Sequence, residues 1–320
     1  MSADVLAGLR QRLAPISDLG ALAGGASSLT FAGALAGRRV VVKVAPPGLP
    51  PVGHRDVLRQ ARILRTLAGT AVPVPEIVAE DHGEPPEVPP LFVMSFIDGA
   101  AAEPLFDAVD AGPAEVIAQR FQHAAQLLAA LHRLVPAELG LGDEPVVAPG
   151  AELDKWCRSL ATVPEELVPD WQHVAATLRS TTPAASTPAL VHGDFRLGNL
   201  LSVGGRITAV VDWEIWSVGD PRVDLGWFLI NADPGTYGRA TPYRGLTPPV
   251  PELAAHYRRA LGRSIPDLGW FQALACFKST ATWSLIVKHN RRRTTPDQEL
   301  EQMAAALPRL LGRALQHLAC

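Results

Sequence analysis

The stretch Leu190-Val-His-Gly-Asp-Phe-Arg-Leu-Gly-Asn199 decides the reading of this 320-residue chain. Val211-Asp-Trp-Glu214 follows it, then Gly219-Asp-Pro221 and Asp224-Leu-Gly226. Asp194, Asn199 and Asp212 therefore fall on short segments separated by the Gly204-Gly205 turn. Two carboxylates and an amide are a minimal set for moving a phosphoryl group: a base for the attacking hydroxyl, and hard oxygen ligands for Mg²⁺. Asp194 is the candidate catalytic base, since one fixed carboxylate can aim a hydroxyl and take its proton. His192 is expected to brace this loop by hydrogen bonds, and Gly193 to allow its tight backbone path. Asn199 and Asp212 are the candidate metal ligands. Asp212 closes a run of Ile, Val and Val, a strand that would hold it rigidly. Glu214, two residues beyond Asp212, either reaches the metal shell or faces solvent, and the second is favoured.

Outward from this centre, Ala189-Leu-Val191 reads as a strand, and Leu200–Val203 with Ile207–Val211 as a hairpin across Gly204-Gly205. Upstream, Gly37-Arg-Arg-Val-Val-Val-Lys-Val44 reads as a β-branched strand that stops at Pro46-Pro47. Leu58, Ala61, Leu64 and Leu67 share one face of a helix near 56–68. The prolines of Thr70-Ala-Val-Pro-Val-Pro75 force an extended connection. Leu91–Ile97 is a further apolar strand, ending at Asp98-Gly99. From Pro113 the pattern turns helical: Ile117, Phe121, Ala124, Leu128 and Leu131 line one face, and Leu134-Val-Pro136 ends the helix. A last helix carries Leu300, Met303, Leu307, Leu310, Ala314 and Leu318 on one stripe. The expected fold is α+β and bilobal: a small β-rich lobe over residues 1–98 and a larger, mostly helical lobe over 99–320, hinged near Met94 to Gly99. Such a layout suits an enzyme that must exclude water from a reactive phosphate.

Apolar residues make up 48% and charged residues 19%, a globular balance with ample core. A net charge of −3 is too mild to make nucleic acid the main partner. Asp4 and Arg10 interrupt the N-terminal apolar residues, against a signal peptide, and no apolar run approaches a membrane-spanning length of about 20 residues. Cys157, Cys276 and Cys320 are odd in number and lack metal-ligand spacing. These features give the expectation of a cytoplasmic chain with reduced thiols and no membrane partner. Oligomeric state is not readable.

The spacing of Asp194 and Asn199 matches the catalytic loop of protein kinases, with His-Gly-Asp where those carry His-Arg-Asp. Together with Gly-Gly-Ala-Ser-Ser-Leu-Thr from Gly24, Val-Val-Lys-Val ending at Val44, Val-Met-Ser-Phe-Ile-Asp-Gly ending at Gly99, and Val-Asp-Trp-Glu, the chain resembles the aminoglycoside phosphotransferase family of choline-kinase-like small-molecule kinases. Its flavour is closest to the kinase-like domains related to those fused to some acyl-CoA dehydrogenases. The resemblance implies a protein-kinase-like fold, ATP or GTP as phosphoryl donor, Mg²⁺ as cofactor and a small-molecule alcohol as acceptor. It implies that Lys43 contacts the α- and β-phosphates, that Gly24, Gly25, Ser27 and Ser28 cover the phosphates, and that backbone groups from Ser95 to Ile97 meet the base. Asp220 and Asp224 are expected to support the catalytic loop through ion pairs and helix capping. The histidines other than His192, His132 among them, receive no role.

One departure stands out. Gln60 occupies the helix position where a glutamate is expected to pair with Lys43. An amide still accepts a hydrogen bond but offers no charge, so a nucleotide-binding pseudokinase is an alternative. A protein kinase is disfavoured, because Gly219-Asp-Pro221 follows Asp212 too closely for a long activation segment. From Leu225 to Cys320 the chain carries 12 Lys and Arg against 6 Asp and Glu, a net of +6 that includes Lys278, Lys288 and Arg291-Arg-Arg293. That balance favours an anionic acceptor, such as a hydroxy acid or a hydroxyacyl-CoA, over an aminoglycoside.

Overall fold

The computed structural model describes residues 3–22, 28–106 and 111–319. Gly24, Gly25 and Ser27 of the expected phosphate loop lie outside them. The chain divides into two units, Met1–Ala100 with Thr208–Trp216, and Ala101–Ile207 with Ser217–Cys320. The segment that carries Asp212 thus groups with the first unit, although the sequence reading ended that lobe at 98.

The first unit comprises α1 (Ala3–Arg12), β1 (Ile16–Ala21), β2 (Leu29–Leu35), β3 (Arg38–Val44), α2 (Val57–Leu67), β4 (Ile77–Asp81) and β5 (Leu91–Ser95). Its five strands form one antiparallel sheet in the order β1-β2-β3-β5-β4. Val40, Val42 and Val44 of β3 lie on one pleat face and join Phe31, Leu91, Val93, Leu9 and Leu13 in the core. The same alternation sends Lys43 to the opposite face. The Asp56 side chain caps α2 by accepting from the Arg59 N–H at 3.0 Å. Four hydrogen-bonding or ring contacts explain why 208–216 belongs here. Val210 N donates to Pro73 O (2.8 Å), Thr208 Oγ1 to Asp98 O (3.0 Å) and Arg59 Nη1 to Trp216 O (2.8 Å). The Arg59 guanidinium also lies 3.8 Å from the centre of the Trp216 ring.

The second unit runs α3 (Ala114–Arg133), β6 (Val146–Val147), α4 (Pro149–Leu160), α5 (Trp171–Ser180), β7 (Ala189–Val191) and β8 (Leu200–Val203). The chain crosses to the first unit within β9 (Arg206–Val210), which pairs with β8 as a two-stranded ribbon. After the crossing back come β10 (Ser217–Gly219), α6 (Arg222–Ala232), short α7 (Pro234–Tyr237), α8 (Val250–Leu261), α9 (Leu268–Asn290), α10 (Gln298–Gln302) and α11 (Leu307–Leu318). β10 pairs with β7 antiparallel and with β6 parallel. The core gathers around α9, whose Trp270, Phe271, Leu274 and Phe277 pack with Trp227 and Ile230 of α6 and with Leu307, Leu310 and Leu311 of α11. Helices apolar on nearly every face belong at such a centre. The α6–α9 packing is close enough that a Cβ on Gly226 would stand 2.4 Å from Phe271 O.

The expected single C-terminal helix is divided. A 3₁₀ turn over Met303–Ala306 separates α10 from α11. Pro308 is the reason: it lacks an N–H and clashes with the preceding turn, so it is tolerated only in the first turn of a new helix.

Candidate active site

In the second unit, β7 delivers the chain into the His192–Asn199 loop. Gly193 sits at φ +88°, a conformation that side chains with a Cβ rarely adopt, and this lets the chain turn before Asp194. Both N–H groups ahead of Asp194 end on one carboxylate: His192 N donates to Asp224 Oδ2 (2.6 Å) and Gly193 N to Asp224 Oδ1 (2.8 Å). Asp224 is fully buried at the start of α6. Burial alone would push its carboxyl up, but the His132 ring and these donors outweigh that and hold it below the usual carboxylate range. His132 Nε2 lies 3.4 Å from Asp224 Oδ2. With Nε2 donating there, Nδ1 accepts from the Tyr257 hydroxyl at 2.6 Å. His132 is thus a buried strut, a correction to the reading that gave it no role. His192 braces the loop as expected, accepting the Asp194 N–H on Nδ1 at 3.1 Å.

The Asp194 carboxylate is held from several sides while its side chain stays 25% exposed. Asn199 Nδ2 donates to Asp194 Oδ2 and to the Asp194 carbonyl, both at 2.8 Å. Trp227 Nε1 donates to Oδ1 at 2.7 Å, and Arg196 Nε lies 3.4 Å from the same oxygen. Arg196 leans also on Glu103, at 3.5 Å, whose Oε2 accepts the Gly198 N–H at 3.0 Å. Because Asn199 commits Nδ2 to Asp194, its Oδ1 has no partner among the described residues.

Asp220 and Arg222 form a second support. Arg222 Nε and Nη2 grip Asp220 at 2.9 and 2.7 Å, and the Ser186 and Arg222 N–H groups add 2.9 and 3.0 Å bonds. Burial raises the Asp220 carboxyl, and these four donors more than reverse it, leaving it below its ordinary range. The expected ion pair is Asp220–Arg222, whereas Asp224 acts through the loop backbone.

In the first unit, Lys43 Nζ lies 3.1 Å from Gln60 Oε1 and 3.1 Å from Asp212 Oδ1. Its side chain is 13% exposed, against 38% for Asp212. Gln60 thus still holds the lysine, and its buried Nε2 has no partner among the described residues. Asp212 takes φ +65°, unusual for a residue other than Gly and concentrated at functional sites. Its Oδ2 has no partner among the described residues. The Ser28 hydroxyl is buried and likewise unpaired among them. Ser95 is tied to Glu76, by N–H to carbonyl at 2.8 Å and by Oγ accepting the Glu76 N–H at 2.9 Å. Ile97, two residues on, makes no hydrogen bond to the described residues. Glu214 is half-buried.

Asn199 in the second unit and Asp212 in the first thus each present an oxygen without a partner among the described residues, and oxygens of this kind are what hard cations prefer. Among the described residues no cluster of three or more His, Cys, Asp or Glu could hold a metal.

The sequence profile of the APH phosphotransferase enzyme family matches residues 18–274. The chain belongs to this family. Among the curated relatives of this APH chain, acyl-CoA dehydrogenase family member 11 of Gallus gallus is 28% identical over 85% of the chain and 37% of its own length. Viomycin phosphotransferase of Streptomyces vinaceus is 33% identical over 52% of the chain and 59% of its own length. The APH chain therefore spans little more than a third of the acyl-CoA dehydrogenase relative. Two solved structures share the fold. A putative aminoglycoside phosphotransferase from Ralstonia eutropha superimposes with a TM-score of 0.78 at 20% identity, covering 99% of this chain and 98% of that one. The aminoglycoside phosphotransferase APH(4)-Ia, in ternary complex with AMP-PNP and hygromycin B, gives 0.65 at 18% identity, covering 98% and 99%. The fold is thus the α+β, kinase-like one expected from the sequence. Among the described residues no helix is long and apolar enough to cross a membrane.

Several of the cations counted toward an anionic acceptor are already engaged. Lys278 is buried and donates to Gly193 O, Lys288 donates to Thr162 O at 2.5 Å, and Arg291 pairs with Glu301 at 2.6 Å. Trp227, Lys278 and Glu103 escaped the sequence reading as neighbours of the loop, and so did the contact of Arg196, within the loop, with Asp194. Lys278 did leave a signal, as a lone charge that directly follows the apolar run Ala273–Phe277.

Proposed function

We propose that this APH-family chain moves the γ-phosphoryl group of ATP to a hydroxyl of a small anionic molecule, such as a hydroxy acid or a hydroxyacyl-CoA. The observation that carries the reading is the Asp194 carboxylate: fixed by Asn199 and Trp227, flanked by Arg196, and still reachable from solvent. In the reaction the acceptor oxygen forms a bond to the γ-phosphorus as the bond to the bridging β-oxygen breaks, and ADP leaves. The acceptor proton passes to an Asp194 oxygen, each of which keeps a lone pair beside its one N–H bond. Asn199 Oδ1 and Asp212 Oδ2 would hold Mg²⁺, which when bound offsets the charge that develops on the phosphate oxygens. Lys43, steadied by Gln60, reaches phosphate oxygens, with the Ser28 hydroxyl and the expected Gly24, Gly25 and Ser27 loop covering them. Backbone groups near Ser95 and Ile97 take the base. The intact Lys43–Gln60 hydrogen bond speaks for an active kinase over a pseudokinase.

An anionic acceptor is supported by Arg196, whose side chain is 3.4 Å from Asp194 and partly exposed, and by kinship to acyl-CoA dehydrogenase family members. The test is release of ADP from ATP, or of GDP from GTP, with Mg²⁺ across hydroxy acids, hydroxyacyl-CoAs, sugars and aminoglycosides. Stimulation of about tenfold or more by an anionic alcohol is expected. Preference for an aminoglycoside over every anionic alcohol would overturn the acceptor class, and no stimulation by any alcohol would overturn the kinase reading.

A further inference from the structure

Lys278 sits midway along α9 with only 4% of its surface exposed, between Phe277 and Ser279, both fully buried. Burying an ammonium is expensive unless it is solvated by something else, and a methionine or leucine would fill the same volume without that cost. Two groups solvate it. The Gly193 carbonyl accepts from Nζ, and the Trp227 ring lies 3.9 Å beneath it, a cation–π distance. Both lead to the same place. Gly193 is joined to Asp194 by its own peptide bond, and its N–H is already fixed on Asp224. Trp227 points its indole N–H at Asp194 Oδ1, 2.7 Å away. Trp156 stands farther off, 5.6 Å from the same ammonium, and sends its own N–H to Glu152 at 2.8 Å.

We propose that Lys278 is a positioning residue for Asp194, acting through the Trp227 indole and the Gly193 carbonyl. The inference rests on the reading of Asp194 as the base of phosphoryl transfer. A cation on the face of an indole draws density from the ring and makes its N–H a stronger donor. Ammonium, indole and carboxylate therefore reinforce one another, the first on the ring face and the last at the ring N–H. The carbonyl contact anchors the backbone from which the carboxylate projects. Burial pulls the Lys278 ammonium below its ordinary range, and the nearby Asp194 and Glu152 charges work against that, which ties the charge of Lys278 to the presence of Asp194. Lys278 touches no reacting atom. Its function is to keep Asp194 in one rotamer, so that the base is aimed before the acceptor arrives.

The test has two readouts. The first needs no activity: the Trp227 indole N–H resonance in a ¹⁵N spectrum, assigned by its loss in Trp227→Phe. Asp194→Asn is expected to shift it. Lys278→Met is expected to move it in the same direction and speed its hydrogen exchange, while Lys278→Arg, which can still donate to a carbonyl and stack on indole, leaves it near the wild-type position. The second readout is kinetic. Lys278→Met and Trp227→Phe each lower kcat by about tenfold, with KM values within about twofold, and the double variant is no worse than the poorer single one. An unmoved indole resonance in folded Lys278→Met, or losses that multiply in the double variant, would overturn the proposal. If Lys278→Met does not fold, Trp227→Phe with wild-type kcat would overturn it equally. If the wild-type chain phosphorylates no acceptor, the kinase reading fails, and the indole resonance alone decides Lys278.

Discussion

Replacing Asp224 by Asn changes one atom of a fully buried side chain and converts an acceptor into a donor. In the native chain Oδ2 accepts the His192 N–H at 2.6 Å and Oδ1 the Gly193 N–H at 2.8 Å. An Asn side chain satisfies one of these and sets its NH₂ against the other. Stranding one buried N–H costs about 2 kcal/mol, and loss of charge weakens the surviving bond by about 1 kcal/mol. Relief of the carboxylate's own desolvation returns part of this, leaving a net loss of roughly 2–3 kcal/mol. The thermal midpoint of the unit should then fall by roughly 4–12 °C at pH 7. The pH dependence gives a second check. The Asp224 carboxyl is held below its ordinary 3.8, so on acidification the unfolded chain takes up the proton first. Its stabilisation is complete above the unfolded value and is lost as pH falls through the lower folded value. The gap between wild type and Asp224→Asn, followed by calorimetry, should therefore be constant from pH 7 to 5 and close below about pH 4. A midpoint shift under about 1 °C at pH 7, or a gap that widens in acid, would refute this account of the loop.

Three further expectations follow from the geometry. Gln60→Glu replaces a buried unpaired amide nitrogen with a carboxylate oxygen beside Lys43 and should not reduce nucleotide turnover; a fall of about tenfold, 1.4 kcal/mol, in ADP release would contradict it. Gly226→Ala, which in an ordinary helix interior stabilises by about 1 kcal/mol, should here lower the urea midpoint by an amount worth about 1–3 kcal/mol, because the new Cβ meets Phe271 O at 2.4 Å; an unchanged or higher midpoint would show that α6 and α9 can part at no cost. Burial pushes the Cys276 thiol up to about 12, so it should resist alkylation at pH 8 in the native chain, as mass spectrometry of labelled peptides will show; labelling without unfolding would refute it.

Which side chains meet was legible wherever it depended on residues close in sequence. Asp194 and Asn199 are five apart, so their closeness is a local matter of one turn, though the Asn199 Nδ2 bond to Asp194 was not part of the reading that made Asn199 a metal ligand. β3 was legible because a β-branched run bounded by Gly and Pro has few other solutions. Trp227 and Lys278 were not, because their relation to Asp194 spans 33 residues in one case and, for the Lys278 contact with Gly193, 85 in the other. Helical periodicity tells which residues share a face but not what the face meets. The positive charge of the region after Leu225 illustrates the limit of counting. Lys278 and Arg291 add to the net charge, yet one is buried on a carbonyl and the other is paired with Glu301. The division of the C-terminal helix was readable from Pro308, whose missing N–H outweighs the continuous apolar stripe.

The most direct test of the central claim is single-turnover phosphoryl transfer to the best anionic acceptor in wild type and Asp194→Asn, with ATP affinity measured alongside by calorimetry. If Asp194 is the base, transfer falls by about 10²–10⁴-fold while ATP affinity changes by less than about threefold, because the carboxylate meets the acceptor rather than the nucleotide. Transfer in Asp194→Asn within about tenfold of wild type would contradict the account, and so would a loss that tracks a parallel loss of ATP binding.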